Sequence, residues 1–249
     1  MYPGANLPVD PRAHTPRLSV VVPAYNERGV IAMTVSLLRT ELQAVDPQLE
    51  VIVADDGSTD GTPHAAEAAG ADTVLQLPHL GKGAAVRAGI AVACGQTVAF
   101  VDADLAYRPD QLIGLLETVE QGADVAVGSR RHNSSAVLVK PTLGRRVASA
   151  GFSTLTNMLQ LDGITDTQAG IKAFSADAAS AIFKRAQVDG FAFDVEIFVI
   201  ARALGLEVVE VPVQLRGTPH SSVHVSRHAA EMLRDLLRIR ARARAGEYQ

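Results

Sequence analysis

The sequence predicts an α/β fold in which helices cover both faces of a mostly parallel sheet. Short, almost continuously apolar runs alternate along the chain with segments whose apolar residues recur at helical spacing. This alternation is typical of a parallel sheet that is buried on both faces. Polar residues also follow each apolar run, and ligands bind beyond the carboxyl ends of parallel strands. The sequence therefore predicts one sheet edge that carries the functional residues.

The elements are predicted in chain order from this alternation. The first strand, Leu18–Val22, is β-branched and is expected to stop at Pro23, and a helix follows from about Gly29 to Leu42. The second helix begins at Thr62, where Thr is a favourable cap and Pro63 suits the first turn. The remaining strands are predicted at Glu50–Ala54, Thr73–Leu77, Thr97–Val101 and Asp124–Val127, the remaining helices at Gly83–Ala93 and Pro109–Glu120, and a short strand-like run at Ile171–Phe174.

Composition narrows the possible functions. The chain has 249 residues, of which 47% are hydrophobic, and this is ample for one large domain with a buried core. A net charge of −4 and a pI near 6.0 give no indication of nucleic-acid binding. Arginines crowd the last stretch, however, and give it a local positive field. The single cysteine, Cys94, excludes an internal disulfide and fits a reducing compartment.

Targeting signals are not evident in the sequence. No apolar run approaches the roughly 18 residues that span a bilayer, and the N-terminus lacks a basic-then-apolar signal pattern. We therefore expect a cytoplasmic protein. Residues 1–16 contain four prolines and no periodicity, and we expect them to form a flexible leader.

Two carboxylates, Asp102 and Asp104, follow the strand at Thr97–Val101. Because side chains alternate along an extended chain, both project toward the same side. Hard divalent ions such as Mg2+ and Mn2+ are held by one or two carboxylates, with phosphate oxygens and water completing the coordination. The alternative interpretation is a solvated acidic pair that opens the next helix near Pro109.

Two common nucleotide motifs are excluded. The segment Gly81–Gly83 is not a P-loop, because Lys82 is followed by glycine instead of Ser or Thr and Gln76 occupies the first glycine position. It is not a dinucleotide fingerprint either, since Val86 occupies the third glycine position and the segment follows the third strand. A dehydrogenase is therefore disfavoured.

A set of motifs resembles the family 2 glycosyltransferases of the GT-A fold. They are Val21–Glu27, Val53–Thr62 and Asp102–Asp104. A second set is similar to dolichyl-phosphate glucosyltransferases and bacterial polyprenyl-phosphate glycosyltransferases, namely Gly81–Arg87, Gly128–Arg130, Asp166–Lys172, Phe191–Glu196 and Asp235–Arg240. The resemblance covers roughly Leu18 to Arg242.

This resemblance implies a single GT-A domain at 17–249 that transfers a monosaccharide from a nucleotide sugar, most simply a UDP-sugar, to a polyprenyl or dolichyl phosphate with inversion. It implies a nucleotide-sugar half at 17–130, an acceptor half at 131–226 and a basic C-terminal helix at 227–249. The residues implied to bind the nucleotide sugar are Pro23, Tyr25, Glu27, Asp56, Lys82, Asp102, Gln168 and Glu196. A turn and helix cap is the alternative role for Asp55 and Asp56, and a solvated loop lysine is the alternative for Lys82.

The resemblance also implies a Mg2+ or Mn2+ ion held by Asp102 and Asp104, and three catalytic residues, Asp166, Arg130 and Asp194. An acceptor phosphate with a second pKa near 6 is already nucleophilic, so Asp194 need only orient a substrate. The residues implied to contact that phosphate are Arg130, Arg131 and Ser222, although Arg131 can equally be a surface residue. The apolar residues around Asp194 and Glu196 can also be core.

One segment departs from the family pattern. Val223 stands where related enzymes commonly have a lysine before the last helix. Any phosphate contact from this segment must therefore come from His220, His224 or Arg227, or is absent.

A membrane surface is the last expected partner. Apolar residues lie at mostly helical spacing between Leu143 and Leu161, with basic residues at the N-terminal end. We expect either a core helix or an interfacial segment that reaches the lipid acceptor, helped by the arginine-rich C-terminal helix. The second interpretation predicts a peripheral enzyme at the cytoplasmic face of a membrane. A separate membrane protein is then a possible partner. A soluble acceptor hydroxyl and a non-catalytic nucleotide-sugar binding protein remain alternatives.

Overall fold

A computed structural model of the chain describes residues 15–104, 106–130, 164, 166–215 and 225–249, with the side chains of 225–230 excepted. Several predictions concern residues outside this set. The residues concerned are most of the leader, the segment between Leu143 and Leu161, Arg131, and Ser222 with its neighbours.

The predicted mostly parallel sheet is confirmed. Its strands are β1 Leu18–Ala24, β2 Glu50–Asp55, β3 Thr73–Gln76, β4 Thr97–Val101, β5 Val125–Ser129, β6 Ile171–Ser175 and β7 Val208–Pro212. Their order in the sheet is β3-β2-β1-β4-β6-β5-β7. Strand β6 runs antiparallel to both of its neighbours, β4 and β5, whereas every other pair is parallel.

Helices connect and cover these strands. They are α1 Arg28–Leu42, α2 Thr62–Ala68, α3 Lys82–Val92, α4 Gln111–Glu120, α5 Ala176–Phe183, α6 Phe193–Ala203 and α7 Val225–Ala245. The sequence analysis did not predict α5, α6 or β7. The start of α5 does carry a recognisable signal, because the Ser175 side chain accepts a hydrogen bond from the backbone N–H of Ala178 (3.2 Å).

Strand β1 does not stop at Pro23, as the sequence analysis expected, but continues to Ala24. The ladder between β1 and β4 ends at Val21 and Phe100, whereas the ladder with β2 continues through Pro23 and Ala24. Pro23 thus lies beyond the last pair with β4, where its missing N–H costs no hydrogen bond.

Because β6 runs antiparallel to β4, the loop that precedes β6 lies beside the carboxyl end of β4. The residues that precede β6 enter the sheet at the edge where β4 ends, and the N–H of Asp102 donates to the carbonyl of Gly170 (3.0 Å). A Cβ atom at position 170 would lie 2.0 Å from Oδ2 of Asp102. Glycine therefore permits the approach of this loop to the Asp102 carboxylate.

Candidate active site

A cavity of about 740 Å3 opens beyond the carboxyl ends of β1, β2 and β4. The predicted residues that line it are Pro23, Tyr25, Glu27, Asp56, Lys82, Asp102 and Asp104. Glu231, Met232 and Asp235 of α7 form part of the opposite wall. The sheet thus brings together residues from four separate loops, because parallel strands end at a common edge.

One end of the cavity carries an aromatic pair. The rings of Tyr25 and His79 stack with their centroids 4.1 Å apart and their planes 17° apart. Nδ1 of His79 lies 2.8 Å from Oδ2 of Asp56, which fixes the ring beneath Tyr25. This exposed stack offers a flat surface of the kind on which a planar ring packs.

The buried carboxylate of Asp56 also organises the loop that follows β3. It accepts hydrogen bonds from the backbone N–H groups of Leu80 (2.8 Å) and Gly81 (3.0 Å). Asp55, by contrast, accepts from the N–H of Ser58 (2.9 Å) and so supports the turn, as the alternative interpretation held. Asp56 therefore joins the second and third loops of the cavity.

Three carboxylates, Glu27, Asp102 and Asp104, meet in the middle of the cavity. Burial raises the pKa of Glu27, and the charges of Asp104, Asp60 and Asp102 raise it further. Burial likewise raises the pKa of Asp104, with a contribution from the charge of Asp102. Both pKa values are thus raised by burial first and by neighbouring negative charges second.

Lys82 neutralises part of the charge of these carboxylates. Its Nζ lies 2.5 Å from Oδ1 of Asp102. Burial acts to lower the pKa of Lys82, but the charges of Asp102 and Asp194 outweigh it, so the pKa is raised and the ammonium stays charged. The lysine is thus an ordered cation inside the cavity rather than a solvated loop residue.

The carboxylates suit a divalent cation that a ligand helps to hold. Among the described residues, no group of three or more His, Cys, Asp or Glu side chains is arranged to hold a metal ion. A hard cation nevertheless needs only one or two carboxylates when phosphate oxygens and water complete its shell. Asp104, whose Oδ1 accepts from the N–H of Ala106 (3.0 Å), and Asp102 fit that requirement.

Arg130 and Asp166 form a second group, next to the cavity but outside its lining. Nε and Nη2 of Arg130 each donate to the Asp166 carboxylate at 2.6 Å, and the backbone N–H of Arg130 donates at 3.0 Å. Burial opposes the charge of each partner, but the hydrogen bonds and charges within the pair outweigh it, so the pKa of Arg130 is raised and that of Asp166 is lowered. The pair is thus a fixed ion pair at neutral pH.

Replacing Asp166 with Asn is expected to destabilise the protein by about 2 kcal/mol at pH 7, because charge-assisted hydrogen bonds are lost. The lowered pKa of Asp166 means that its contribution is fully present above the usual value of 3.8 and is lost as the pH falls through the folded-state pKa. Urea denaturation of the wild type and the variant, at pH 7 and at several pH values below 3.8, measures the two free energies of unfolding. The difference between them should shrink as the pH falls. A difference that does not depend on pH would contradict the ion pair.

Asp194 lies outside the lining of the cavity, although the sequence analysis assigned it to catalysis. Its side chain is 5% exposed, and its Oδ1 accepts a hydrogen bond from Nζ of Lys172 at 2.6 Å. The same Nζ donates to the carbonyl of Ala169 (2.7 Å). Asp194 therefore acts, through Lys172, on the loop that carries Gln168 and Gly170.

Glu196 is also placed differently from the prediction that it binds the nucleotide sugar. It is fully buried, outside the cavity lining, and its Oε2 accepts from the N–H groups of Gln187 (2.9 Å) and Val188 (2.8 Å). Its Oε1 accepts from the hydroxyl of Tyr248 (2.7 Å). The physical reason is that a buried carboxylate needs donors, and these come from a loop and from the C-terminal residues.

The sequence analysis missed two further residues near these groups. His79 carries the ring beneath Tyr25. Tyr107 is buried and its hydroxyl has no hydrogen-bond partner among the described residues, while the charges of Arg130, Asp166 and Asp102 act on it. Gln168 likewise keeps a buried Nε2 without a partner in the described part of the chain. Neither Tyr107 nor Gln168 lines the cavity, so Gln168, like Glu196, lies outside the place that the nucleotide-sugar prediction gave it.

Comparisons with known proteins show what the chain is similar to. The model of the family "Glycosyl transferase family 2" matches residues 19–183. The dolichyl-phosphate β-glucosyltransferase of Homo sapiens is 34% identical, over 94% of this chain and 78% of the human protein. The enzyme of that name from Saccharomyces cerevisiae is 30% identical, over 93% of this chain and 76% of the yeast protein.

Solved structures share the fold. Glucosyl-3-phosphoglycerate synthase from Mycobacterium tuberculosis, crystallised with Mn2+, UDP and glucosyl-3-phosphoglycerate, superposes with a TM-score of 0.69 and 20% identity, covering 93% of this chain and 81% of that protein. Mannosyl-3-phosphoglycerate synthase from Rubrobacter xylanophilus superposes with a TM-score of 0.69 and 22% identity, covering 91% and 73%. These structures confirm the predicted GT-A fold.

Proposed function

The chain belongs to glycosyl transferase family 2 and is a glycosyltransferase, and from this premise we propose that it transfers glucose from UDP-glucose to a dolichyl or other polyprenyl phosphate with inversion. The human and yeast relatives are dolichyl-phosphate β-glucosyltransferases. The observation that carries the proposal is the single cavity that joins the Tyr25 and His79 stack, Lys82 and the carboxylates Asp102 and Asp104. A nucleoside diphosphate sugar offers a matching base, diphosphate and cation.

The donor is oriented from one end of the cavity to the other. The base packs against the Tyr25 ring, in the pocket that Pro23, Glu27 and Asp56 complete. The diphosphate then lies toward Lys82, whose ammonium is a fixed positive charge. The sugar comes next, on the side of the loop that contains Gln168 and Gly170, which reaches Asp102 through the Gly170 carbonyl.

Asp104 and Asp102 would hold Mg2+ or Mn2+ on the diphosphate. Such an ion neutralises the charge that develops on the departing UDP. The position of Glu27, Asp102 and Asp104 along one cavity supports this assignment, since a bound cation offsets the repulsion between neighbouring carboxylates. Lys82 adds a second positive charge on the same side.

The acceptor phosphate attacks the anomeric carbon. One of its oxygens forms the new bond to C1 while the bond from C1 to the UDP oxygen breaks, and no proton has to be removed, because a phosphate monoester is largely dianionic at neutral pH. Arg130 is suited to bind this phosphate or the leaving diphosphate, with Asp166 holding its guanidinium in place. Asp194 then has a positioning role through Lys172.

The lipid acceptor requires a membrane. Among the described residues, no helix has the length and apolar character needed to cross a bilayer. We propose that the enzyme works as a peripheral protein at the cytoplasmic face, where a separate membrane protein can be its partner.

The test follows radiolabelled glucose. The purified protein is incubated with polyprenyl phosphate in detergent, UDP-glucose and Mn2+ or Mg2+, and label is measured in the organic phase. Label in a lipid that releases glucose on mild acid is the expected result. Donor consumption only in the presence of a soluble acceptor would instead support the soluble-acceptor alternative, and the absence of any turnover would leave a binding protein.

Replacing His79 with Ala should weaken donor binding, because the Tyr25 ring loses its stacking partner and Asp56 loses its contact with Nδ1 of His79. Loss of one stacking contact of about 1 kcal/mol corresponds to a rise in KM for UDP-glucose of about fivefold, with little change in kcat. Steady-state kinetics measures both. His64→Ala on the exposed surface of α2 is the control, and an equal effect of the two replacements would contradict the assignment.

A further inference from the structure

Helix α7 has an outward face that combines apolar and basic residues. Leu233 and Leu237 are 46% and 56% exposed, one helical turn apart. Three arginines on the same side of the helix are exposed as well, Arg234, Arg238 and Arg244. We call these five residues the α7 outward face. The two leucines are neighbours on the helix surface and so form one apolar strip on the side away from the core.

The opposite side of α7 fixes the orientation of the helix. Leu236 and Ile239 are buried in the core, and Tyr248, just past the helix end, is hydrogen-bonded to buried Glu196. Met232 and Asp235 line the cavity. The α7 outward face is therefore the side that the domain leaves uncovered among the described residues, and the cavity wall is made by the same helix.

The charges of α7 are segregated. The acidic residues of its described side chains, Glu231 and Asp235, line the cavity, and Glu247 follows the helix end. Arg238 makes one long contact to Asp235 (3.4 Å) and is otherwise exposed. The α7 outward face itself contains no carboxylate. A partner for it must offer an apolar layer beside negative charge.

We propose that the α7 outward face docks on an anionic lipid surface, with the leucines entering the interface and the arginines at the headgroups. Amphipathic helices with a basic polar face bind in this way. The inference rests on the proposed function, since it places the wall of the donor cavity at the surface that holds a polyprenyl phosphate. Leu80, which lines the same cavity as Met232 and Asp235 of α7, is a further exposed apolar side chain (61%).

Charge favours a lipid surface over a second copy of the chain. In a two-fold dimer built on this face, the same patch would meet itself, so three arginines from each copy would be brought together with Asp235 beside Arg238 as the one carboxylate that contacts them among the described residues. Anionic lipids supply the opposite charge instead. A dimer is an outcome that the experiment distinguishes.

The experiment measures flotation of the whole protein with vesicles of phosphatidylcholine, with or without phosphatidylglycerol, and without polyprenyl phosphate or donor. The wild type should float with the anionic vesicles and less so as salt is raised. Changing the three arginines together to Gln should weaken this binding about a hundredfold, since each contributes about fivefold. Leu233→Ser with Leu237→Ser should also weaken it about tenfold or more. Met33→Ser with Val92→Ser removes two exposed apolar side chains elsewhere and should leave it within about twofold.

Each result separates this inference from the proposed function. Loss of flotation in both α7 variants, with glucose transfer in detergent retained, supports the docking surface. Flotation equal to wild type in both variants overturns it, whether or not transfer is seen. It is also overturned if the wild type does not float, or if the leucine variant instead converts a dimer to a monomer on size exclusion. Flotation that depends on α7 in a protein without transferase activity would leave the surface standing and refute the function.

Discussion

Asp104→Asn is expected to lower kcat for glucose transfer by about a thousandfold, because stabilisation of the departing diphosphate by a metal ion contributes several kcal/mol. The amide keeps an oxygen that can accept from the N–H of Ala106, so the local turn is preserved. It removes the negative charge that the cation requires. The variant should therefore fold normally and fail in catalysis.

Turnover is compared with Mn2+ binding, which isothermal titration can follow in the presence of UDP. Glu67→Gln on α2 is the matched control, since Glu67 is an exposed carboxylate far from the cavity lining. The control should retain wild-type turnover. Full activity of Asp104→Asn would remove the metal from the proposed mechanism, and a loss of circular dichroism signal would assign the residue to folding.

Lys172→Met is expected to lower the free energy of unfolding by about 3–5 kcal/mol, the usual consequence of breaking a buried ion pair from one side. Lys172 is fully buried, and its Nζ contacts Asp194 and the Ala169 carbonyl. The rings of Phe100 and Phe198 lie 5.2 and 5.5 Å from the same atom. Methionine fills the space but leaves the Asp194 carboxylate without its cation.

The double variant Lys172→Met with Asp194→Leu tests this reason. Removing both charges should recover most of the lost stability, because an apolar pair of similar volume is often tolerated in place of a buried ion pair. Urea denaturation measures all three proteins. Transfer activity of the double variant should stay low even so, since the loop that contains Gln168 and Gly170 loses its tether. Additive stability losses would contradict the buried ion pair, and wild-type activity in the double variant would contradict the positioning role.

Much of the cavity was predictable because of one geometric rule. Tyr25, Asp56, Lys82 and Asp104 each come shortly after a strand or begin the helix that follows one, and parallel strands end at the same edge. No contact between distant segments had to be known to bring them together. The spacing of apolar residues and the position of each polar residue after a strand were sufficient to predict that they lie at one edge.

The partners of the buried charges were not predictable in this way. Asp194 and Glu196 are two residues apart in one motif, yet one meets Lys172 on β6 and the other meets Tyr248, 52 residues later. Which cation or hydroxyl neutralises a buried carboxylate depends on how strands and helices pack, and a linear pattern does not record this. His79 is a similar case, since only the stack with Tyr25 reveals its place.

The sequence by itself therefore determined the fold class, the family and the residues at the strand ends, because alternation and local motifs are properties of neighbouring residues. Only the tertiary structure decided that β6 enters antiparallel beside β4, that Asp194 and Glu196 lie outside the cavity lining, and that α7 forms a cavity wall. These features depend on pairings between residues far apart in the chain. A buried carboxylate such as Asp194 or Glu196 is stable only with a hydrogen-bond donor or a cation beside it, and the packing of the fold determines which group that is.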